Sequence, residues 1–216
     1  MTMIPVYCIS GLGADKRVFE HLVLPGAEMI HLPWIPPERH ESLPAYAARM
    51  AAAIHHPEPI LMGLSFGGIM SIEIAKLIPV RRIWLLSTVK QRSEMPGYMR
   101  FGKYLPLHKL ALLFNPHRWM GPLENYNLGV ENQEEIDLVT AYRNAVSPGY
   151  LNWAINALIN WDAPAPPGNT FHIHGGKDRI FPVGLAHPDV VIAGAGHFMV
   201  HNRAAEVSRL LLDDLR

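Results

Sequence analysis

Hydrophobic positions along the chain fall into short runs that are separated by segments with helical periodicity. Six runs have the length of a strand. Four of them are almost continuously apolar, and the last two are more mixed: 4–10, 59–65, 81–88, 170–175, 27–33 and 189–194. Continuous apolar runs are typical of parallel strands that helices cover on both faces. The pattern therefore predicts a reduced, parallel sheet of about six strands.

Helical signals occupy the segments between these runs. A helix is expected after Ser42, which is a suitable N-cap, with Pro44 in its first turn. Residues 66–78 carry isoleucines at helical spacing, and 203–216 form an amphipathic helix for which Asn202 is the expected cap. Alternating strands and helices of this kind predict an α/β fold with right-handed crossovers.

The alternation stops between residues 89 and 165, where no convincing strand is found. This stretch predicts several helices, at roughly 93–104, 106–114, 131–146 and 148–160. It is too long for a simple crossover between two neighbouring strands. We therefore expect residues 89–165 to form a helical cap inserted before the last two strands, and 1–88 with 166–216 to form the core.

Composition excludes several classes of protein. The 216 residues are 49% hydrophobic, and 19 basic side chains balance 19 acidic ones, so nucleic acid and anionic membranes are unsuitable partners. No apolar run reaches the roughly 18–20 residues of a membrane span. Cys8 is the only cysteine, which rules out an intrachain disulfide and favours a reducing, cytoplasmic location. The N-terminal run is interpreted as a first strand and not as a signal peptide.

Ser65 lies in Gly63-Leu64-Ser65-Phe66-Gly67, where a buried strand gives way to a helix. A serine on such a tight turn is strained and exposes its hydroxyl beyond the sheet. Cβ atoms two residues away on either side would crowd the turn, so Gly63 and Gly67 are explained by sterics. The helix N-terminus that follows favours developing negative charge. The competing interpretation is a glycine-rich turn in which the serine only caps the helix.

His197 and Asp178 are the candidate partners of this serine. His197 follows the run 189–194 in a glycine-rich loop, and His201 nearby is the alternative histidine. Asp178 follows the run 170–175 and could hold the histidine in the correct tautomer. Asp178 could instead be an ordinary turn residue that pairs with the flanking Lys177 or Arg179.

Ser65, Asp178 and His197 each come directly after a predicted parallel strand, at the sheet edge where α/β proteins bind ligands. A fourth signal is the loop 10–19, in which Gly11 follows the first strand. Backbone N–H groups of Leu12 and Phe66 are candidates for the two donors that an acyl-transfer site aims at an oxyanion.

Taken together, the motifs ISGLGADKRVF, MGLSFGG, HIHGGKDRIFP and GAGHFM resemble those of the α/β-hydrolase superfamily, in particular its small, cap-bearing esterases and lipases. The resemblance implies that Ser65 is the nucleophile, His197 the base and Asp178 the orienting acid, with oxyanion donors at Leu12 and Phe66. The family usually has His-Gly where this chain has Ser10-Gly11, and the antiparallel strands that often precede the first parallel strand are missing. Neither departure removes a reacting group.

This set of residues predicts a serine hydrolase that cleaves a small carboxylic ester or thioester through an acyl-enzyme. It requires no cofactor, and no metal-ligand motif is present. A lyase or carbon–carbon bond hydrolase on the same fold, and a non-enzymatic protein that binds a small ligand, remain alternatives. Residues 89–119 hold six basic side chains and one acidic one, which leaves an acyl-carrier partner open, although solvated helix faces explain these charges as well.

Overall fold

A computed structural model describes residues 3–102, 117–163, 165 and 168–216 of the chain. Its centre is a parallel sheet of six strands in the order β2-β1-β3-β4-β5-β6. The strands are β1 (Ile4–Ile9), β2 (Ala27–His31), β3 (Ile60–Leu64), β4 (Arg82–Leu86), β5 (Thr170–Gly175) and β6 (Val190–Ile192). The predicted sheet is confirmed.

Nine α-helices occur among the described residues, with two short 3-10 helices at Lys16–Phe19 and Arg92–Glu94. The α-helices are α1 (Leu43–Ala51), α2 (Phe66–Ala75), α3 (Gly97–Gly102), α4 (His117–Leu128), α5 (Gln133–Ala145), α6 (Pro148–Asn160), α7 (Val183–Ala186), α8 (Met199–Asn202) and α9 (Ala204–Asp214). In the part of the chain described here, no helix has the length and apolar character that a bilayer span requires.

Side chains alternate along β1 between two hydrophobic cores, one on each face of the sheet. Val6 and Cys8 belong to the core that includes Leu211 of α9. Tyr7 and Ile9 belong to the core beneath α1 and α2. Because both faces are covered, almost every position of a central strand is buried, which explains the continuous apolar runs in the sequence.

Two predictions about helix boundaries are decided by local chemistry. Ser42 caps α1 as expected, since its hydroxyl accepts a hydrogen bond from the Ala45 N–H at 3.3 Å. The prediction for Asn202 is wrong: α8 runs up to this residue, and its side chain donates to the Gly129 carbonyl at 3.1 Å. Arg203 occupies the N-cap position of α9 and makes no side-chain cap.

The described helices between β4 and β5 differ from the sequence pattern in two places. The helix expected at 93–104 is divided into the 3-10 helix Arg92–Glu94 and α3, because Met95 precedes a proline and is extended. Helix α4 is not predicted, since Gly121 and Pro122 lie inside it. The helix expected at 106–114 lies outside the described residues.

Candidate active site

Ser65 occupies the turn between β3 and α2 in a conformation that L-amino acids rarely adopt. Its φ is 54° and its ψ is −120°, and its side chain makes no hydrogen bond that would cap the helix. The turn is held by its backbone: Ser65 N donates to Leu86 O at 2.9 Å, and Ser65 O accepts from the Thr88 hydroxyl at 2.7 Å. Such strain persists only where the surroundings impose it, and it marks candidate functional sites.

The glycines on either side of Ser65 allow backbone segments to touch. A Cβ at Gly63 would overlap the carbonyl of Gly67, and a Cβ at Gly67 would overlap the Ile9 carbonyl and lie 2.5 Å from Ser10 O. Gly11 is less restricted, since a Cβ there would make an ordinary contact of 3.6 Å with the Cβ of Ser65. Gly63 and Gly67 are therefore the glycines that this turn requires.

Asp178 follows β5 and is buried with every carboxylate oxygen engaged. Oδ1 accepts hydrogen bonds from the backbone N–H groups of Ile180 and Phe181, at 2.8 and 2.9 Å. Oδ2 lies 2.7 Å from Nδ1 of His197. Burial acts to raise the pKa of Asp178, but its electrostatic interaction with His197 and the hydrogen bonds from His174 and His197 outweigh burial and hold that pKa well below its usual range.

The hydrogen bond to Asp178 determines which tautomer His197 adopts. A carboxylate of low pKa can only accept, so Nδ1 of His197 carries the hydrogen, and in the neutral form of the ring Nε2 is the nitrogen with the free lone pair. The loop is fixed on both sides: Lys177 N donates to Ala195 O at 2.8 Å, and Phe198 N donates to Leu128 O at 2.8 Å. The loop that carries His197 is therefore held by the segment that follows β5 and by the last residue of α4.

Neither the alternative ion pair of Asp178 nor the alternative histidine is found at this site. Arg179 donates to the Tyr126 carbonyl at 3.0 Å and covers that ring, and among the described ion pairs Asp178 has histidine partners alone. His201 lies on α8 next to Glu20, away from Asp178.

Behind Asp178 lies a chain of two buried histidines, His174 and His172. Nε2 of His174 is 2.7 Å from Phe181 O and 3.3 Å from Asp178 Oδ2, so it must be the protonated nitrogen. Its Nδ1 therefore accepts from Nε2 of His172 at 3.0 Å, and Nδ1 of His172 faces Lys90 Nζ at 3.4 Å. In the sequence, this chain is indicated by histidines at the alternate positions 172 and 174, which lie on one face of β5.

This arrangement leaves His172 neutral. Burial, followed by the neighbouring His174 and Lys90, lowers the pKa of His172 from 6.5 to about 2. Between these pH values the unfolded chain binds a proton that the folded chain does not. His172 therefore removes stability as the pH falls below about 6.5, by at most about 1.4 kcal/mol per pH unit.

Replacing His172 with glutamine, which retains a donor toward His174, is expected to flatten this pH dependence. The free energy of unfolding, measured in urea between pH 4.5 and 6.5, should fall less steeply with decreasing pH in the variant than in the wild type. The exposed His55→Gln is the matched control and should keep the wild-type slope. Equal slopes for all three proteins would contradict a neutral, buried His172.

A cavity of about 380 Å³ lies above Ser65 at the carboxyl edge of the sheet. Ser65, His197, Leu12 and Phe66 all line it, and most of the remaining wall is apolar. The Phe66 N–H is the first of α2 and has no partner within the helix. The N–H of Leu12 makes no hydrogen bond to any described residue. The cavity thus combines a hydroxyl, an imidazole and two unused backbone donors.

Two details qualify the geometry of this cavity. The structure records no hydrogen bond between Ser65 Oγ and the His197 ring, both of which it describes. The Ser10 hydroxyl, which stands where the resembled family has histidine, donates to Ala14 O at 2.6 Å and holds the loop in place.

A larger cavity of about 1040 Å³ lies elsewhere, and Ser65, Asp178 and His197 are absent from its wall.

Comparison with known proteins agrees with this fold. The model of the alpha/beta hydrolase family matches residues 6–210, which is nearly the whole chain. The chain therefore belongs to the alpha/beta hydrolase family. A comparison with curated proteins gives no match.

Solved structures show the same fold at low identity. An esterase from Thermogutta terrifontis is similar with a TM-score of 0.71 and 17% identity, over 100% of this chain and 90% of its own. The esterase EaEST from Exiguobacterium antarcticum has a TM-score of 0.73 and 16% identity, over 98% and 91% of the two chains. A bromoperoxidase from Bacillus anthracis has a TM-score of 0.71 and 18% identity, over 99% and 92%.

Proposed function

We propose that this hydrolase cleaves a carboxylic ester or thioester of a small molecule, with Ser65 as nucleophile, His197 as base and Asp178 as orienting acid. The observation that carries the proposal is the buried Asp178–His197 hydrogen bond of 2.7 Å, which leaves Nε2 of His197 basic in a ring that lines the same apolar cavity as Ser65. A hydroxyl and an oriented imidazole in one cavity are the groups that nucleophilic catalysis requires.

In the first step, Nε2 of His197 takes the proton from Ser65 Oγ as the oxygen attacks the substrate carbonyl. The Leu12 and Phe66 N–H groups donate to the oxyanion, and Asp178 stabilises the imidazolium through Nδ1. His197 then returns the proton to the leaving alcohol or thiol. Because no Ser65–His197 hydrogen bond is recorded in the free protein, the two groups must approach when substrate binds, as is common at catalytic sites.

In the second step, water enters as the second nucleophile. His197 removes its proton, the hydroxide attacks the acyl-Ser65 carbonyl, and the same two N–H groups stabilise the second oxyanion. The proton then returns to Ser65 as the carboxylic acid leaves. Atoms balance with ester and water as the only reactants, so the reaction needs no cofactor.

The cavity favours a substrate with a small apolar acyl group. Its volume of about 380 Å³ lies near the lower end of the range for ligand sites. Leu128, Val139, Val146 and Leu151 contribute apolar wall. Two of the three structural neighbours described above are esterases, which supports the same class of bond. An acyl-carrier partner and a cytoplasmic location stay predictions from the sequence.

A fluorophosphonate probe tests the proposal directly, because it reacts with an activated serine. Labelling of the folded protein is expected at the peptide that contains Ser65, with no labelling after denaturation. His197→Ala should slow the labelling, whereas the exposed His55→Ala should not. A folded protein that binds small ligands but is never labelled would favour the non-enzymatic alternative.

Product analysis separates the remaining alternatives. A panel of esters and thioesters of increasing acyl length should yield the free acid, with the highest kcat/KM for short chains. A cyanohydrin offered in parallel should give neither cyanide nor aldehyde above the spontaneous rate. Cleavage of the cyanohydrin but of no ester would replace the hydrolase proposal with the lyase.

A further inference from the structure

A second cluster of carboxylate and imidazole side chains lies away from Asp178. Glu20 and His21 follow the first 3-10 helix, Lys16–Phe19, and His201 lies on α8. One ligand atom from each of the three residues lies within 4.8 Å of the other two. His201 lies about 180 positions after Glu20 and His21 in the sequence, so no local motif could reveal the cluster.

The spacing of these atoms suits one transition-metal ion. Glu20 Oε1 is 3.5 Å from Nε2 of His21 and 3.6 Å from Nε2 of His201. Ligands at 2.0–2.1 Å around tetrahedral Zn²⁺ are about 3.3–3.4 Å apart. The three atoms therefore need to move by only a few tenths of an ångström at these two edges, and His21 and Glu20 are exposed enough to move.

His201 supplies an independent indication that a ligand belongs here. Its side chain is 95% buried, and its Nε2 makes no hydrogen bond. A buried ring nitrogen without a hydrogen bond is costly and calls for an explanation. The ring cannot turn away freely, because Phe198 stacks on it with centroids 5.0 Å apart and His21 packs against it at 4.4 Å.

We propose that Glu20, His21 and His201 form a binding site for a divalent transition metal of the Zn²⁺ class. Two imidazole nitrogens and one carboxylate are the ligands that such ions prefer, whereas Mg²⁺ and Ca²⁺ prefer oxygen alone. The sequence predicted no metal site, because His201 is far from Glu20 and His21 along the chain and the three form no local motif. The fourth position of a tetrahedral site remains open to water.

The location gives the site a structural consequence. Glu20 and His21 continue the segment that begins with the loop at Gly11, and His201 continues the segment that begins with His197. Val18, Phe198 and Met199 already pack in one hydrophobic core. A bound ion adds a cross-link between these two segments, and since it binds only the folded chain, it raises the stability of the fold.

Untagged protein should bind one Zn²⁺ in competition with a fluorescent zinc chelator, and its Tm should rise with added Zn²⁺ but not with Mg²⁺. His21→Ala and Glu20→Gln are the informative variants, because both side chains are exposed. Loss of a residue that only hydrogen-bonds to a metal ligand weakens metal binding by about 10–100-fold. Loss of a ligand itself should therefore weaken Zn²⁺ binding at least tenfold.

The exposed His55→Ala removes a histidine outside the cluster and should bind Zn²⁺ as the wild type does. The proposal is overturned if the wild type binds no stoichiometric Zn²⁺, or if both cluster variants bind it as tightly as the wild type. Neither measurement uses substrate or turnover, so the result does not depend on the proposed function.

Discussion

Replacing Ser65 with alanine is expected to lower kcat for ester hydrolysis by about 10⁴–10⁶-fold, since removal of a nucleophilic serine costs rates of this order. The fold should be retained, because the turn is held by backbone contacts to Leu86 and Thr88 and the Ser65 side chain caps nothing. Initial rates on a short-chain ester, with unfolding in urea measured alongside, check both parts of the expectation.

Two further variants make this result specific. Ser65→Gly should be equally inactive but more stable than the wild type by about 1 kcal/mol, because glycine relieves the strain of a φ of 54°. Ser93→Ala changes an exposed serine outside the cavity wall and should keep full activity. Substantial turnover by the alanine variant would refute Ser65 as the nucleophile.

Replacing Gly67 with alanine is expected to destabilise the protein by about 3 kcal/mol or more, the scale of severe steric damage in a packed interior. The new Cβ would overlap the Ile9 carbonyl and lie 2.5 Å from Ser10 O. Both are backbone atoms at the end of β1, so no change of rotamer can remove the clash. Denaturation in urea should show an earlier midpoint, together with loss of activity from the displaced turn.

Gly149→Ala is the matched control for this prediction. Gly149 lies in the first turn of α6, and a Cβ built there meets no atom within 4 Å. The substitution should leave stability unchanged or raise it by up to about 1 kcal/mol, because alanine is the better helix former. An unchanged midpoint for the Gly67 variant would mean that the contact between α2 and β1 yields more easily than the packing implies.

The sheet could be predicted because its signal is local. Strands β1 and β3 are buried on both faces, so their residues are apolar without interruption, and Ser42 caps its helix through a contact three residues away. Helix α4 was missed for the opposite reason. Gly121 and Pro122 oppose a helix locally, and the Arg143 side chain, which bonds Asn125 at 2.8 Å, is an example of the tertiary contacts that outweigh this preference.

The sequence by itself determined which apolar runs become strands, where glycine is needed around Ser65, and that Asp178 and His197 follow strand ends. These follow from backbone sterics and from burial, which act over a few residues. Only the tertiary structure decided that Asp178 meets His197 and His174, that His172 is neutral, and that Glu20 and His21 face His201. Such contacts join residues far apart in the chain, and their geometry and electrostatics exist only once the sheet has brought the strand ends together.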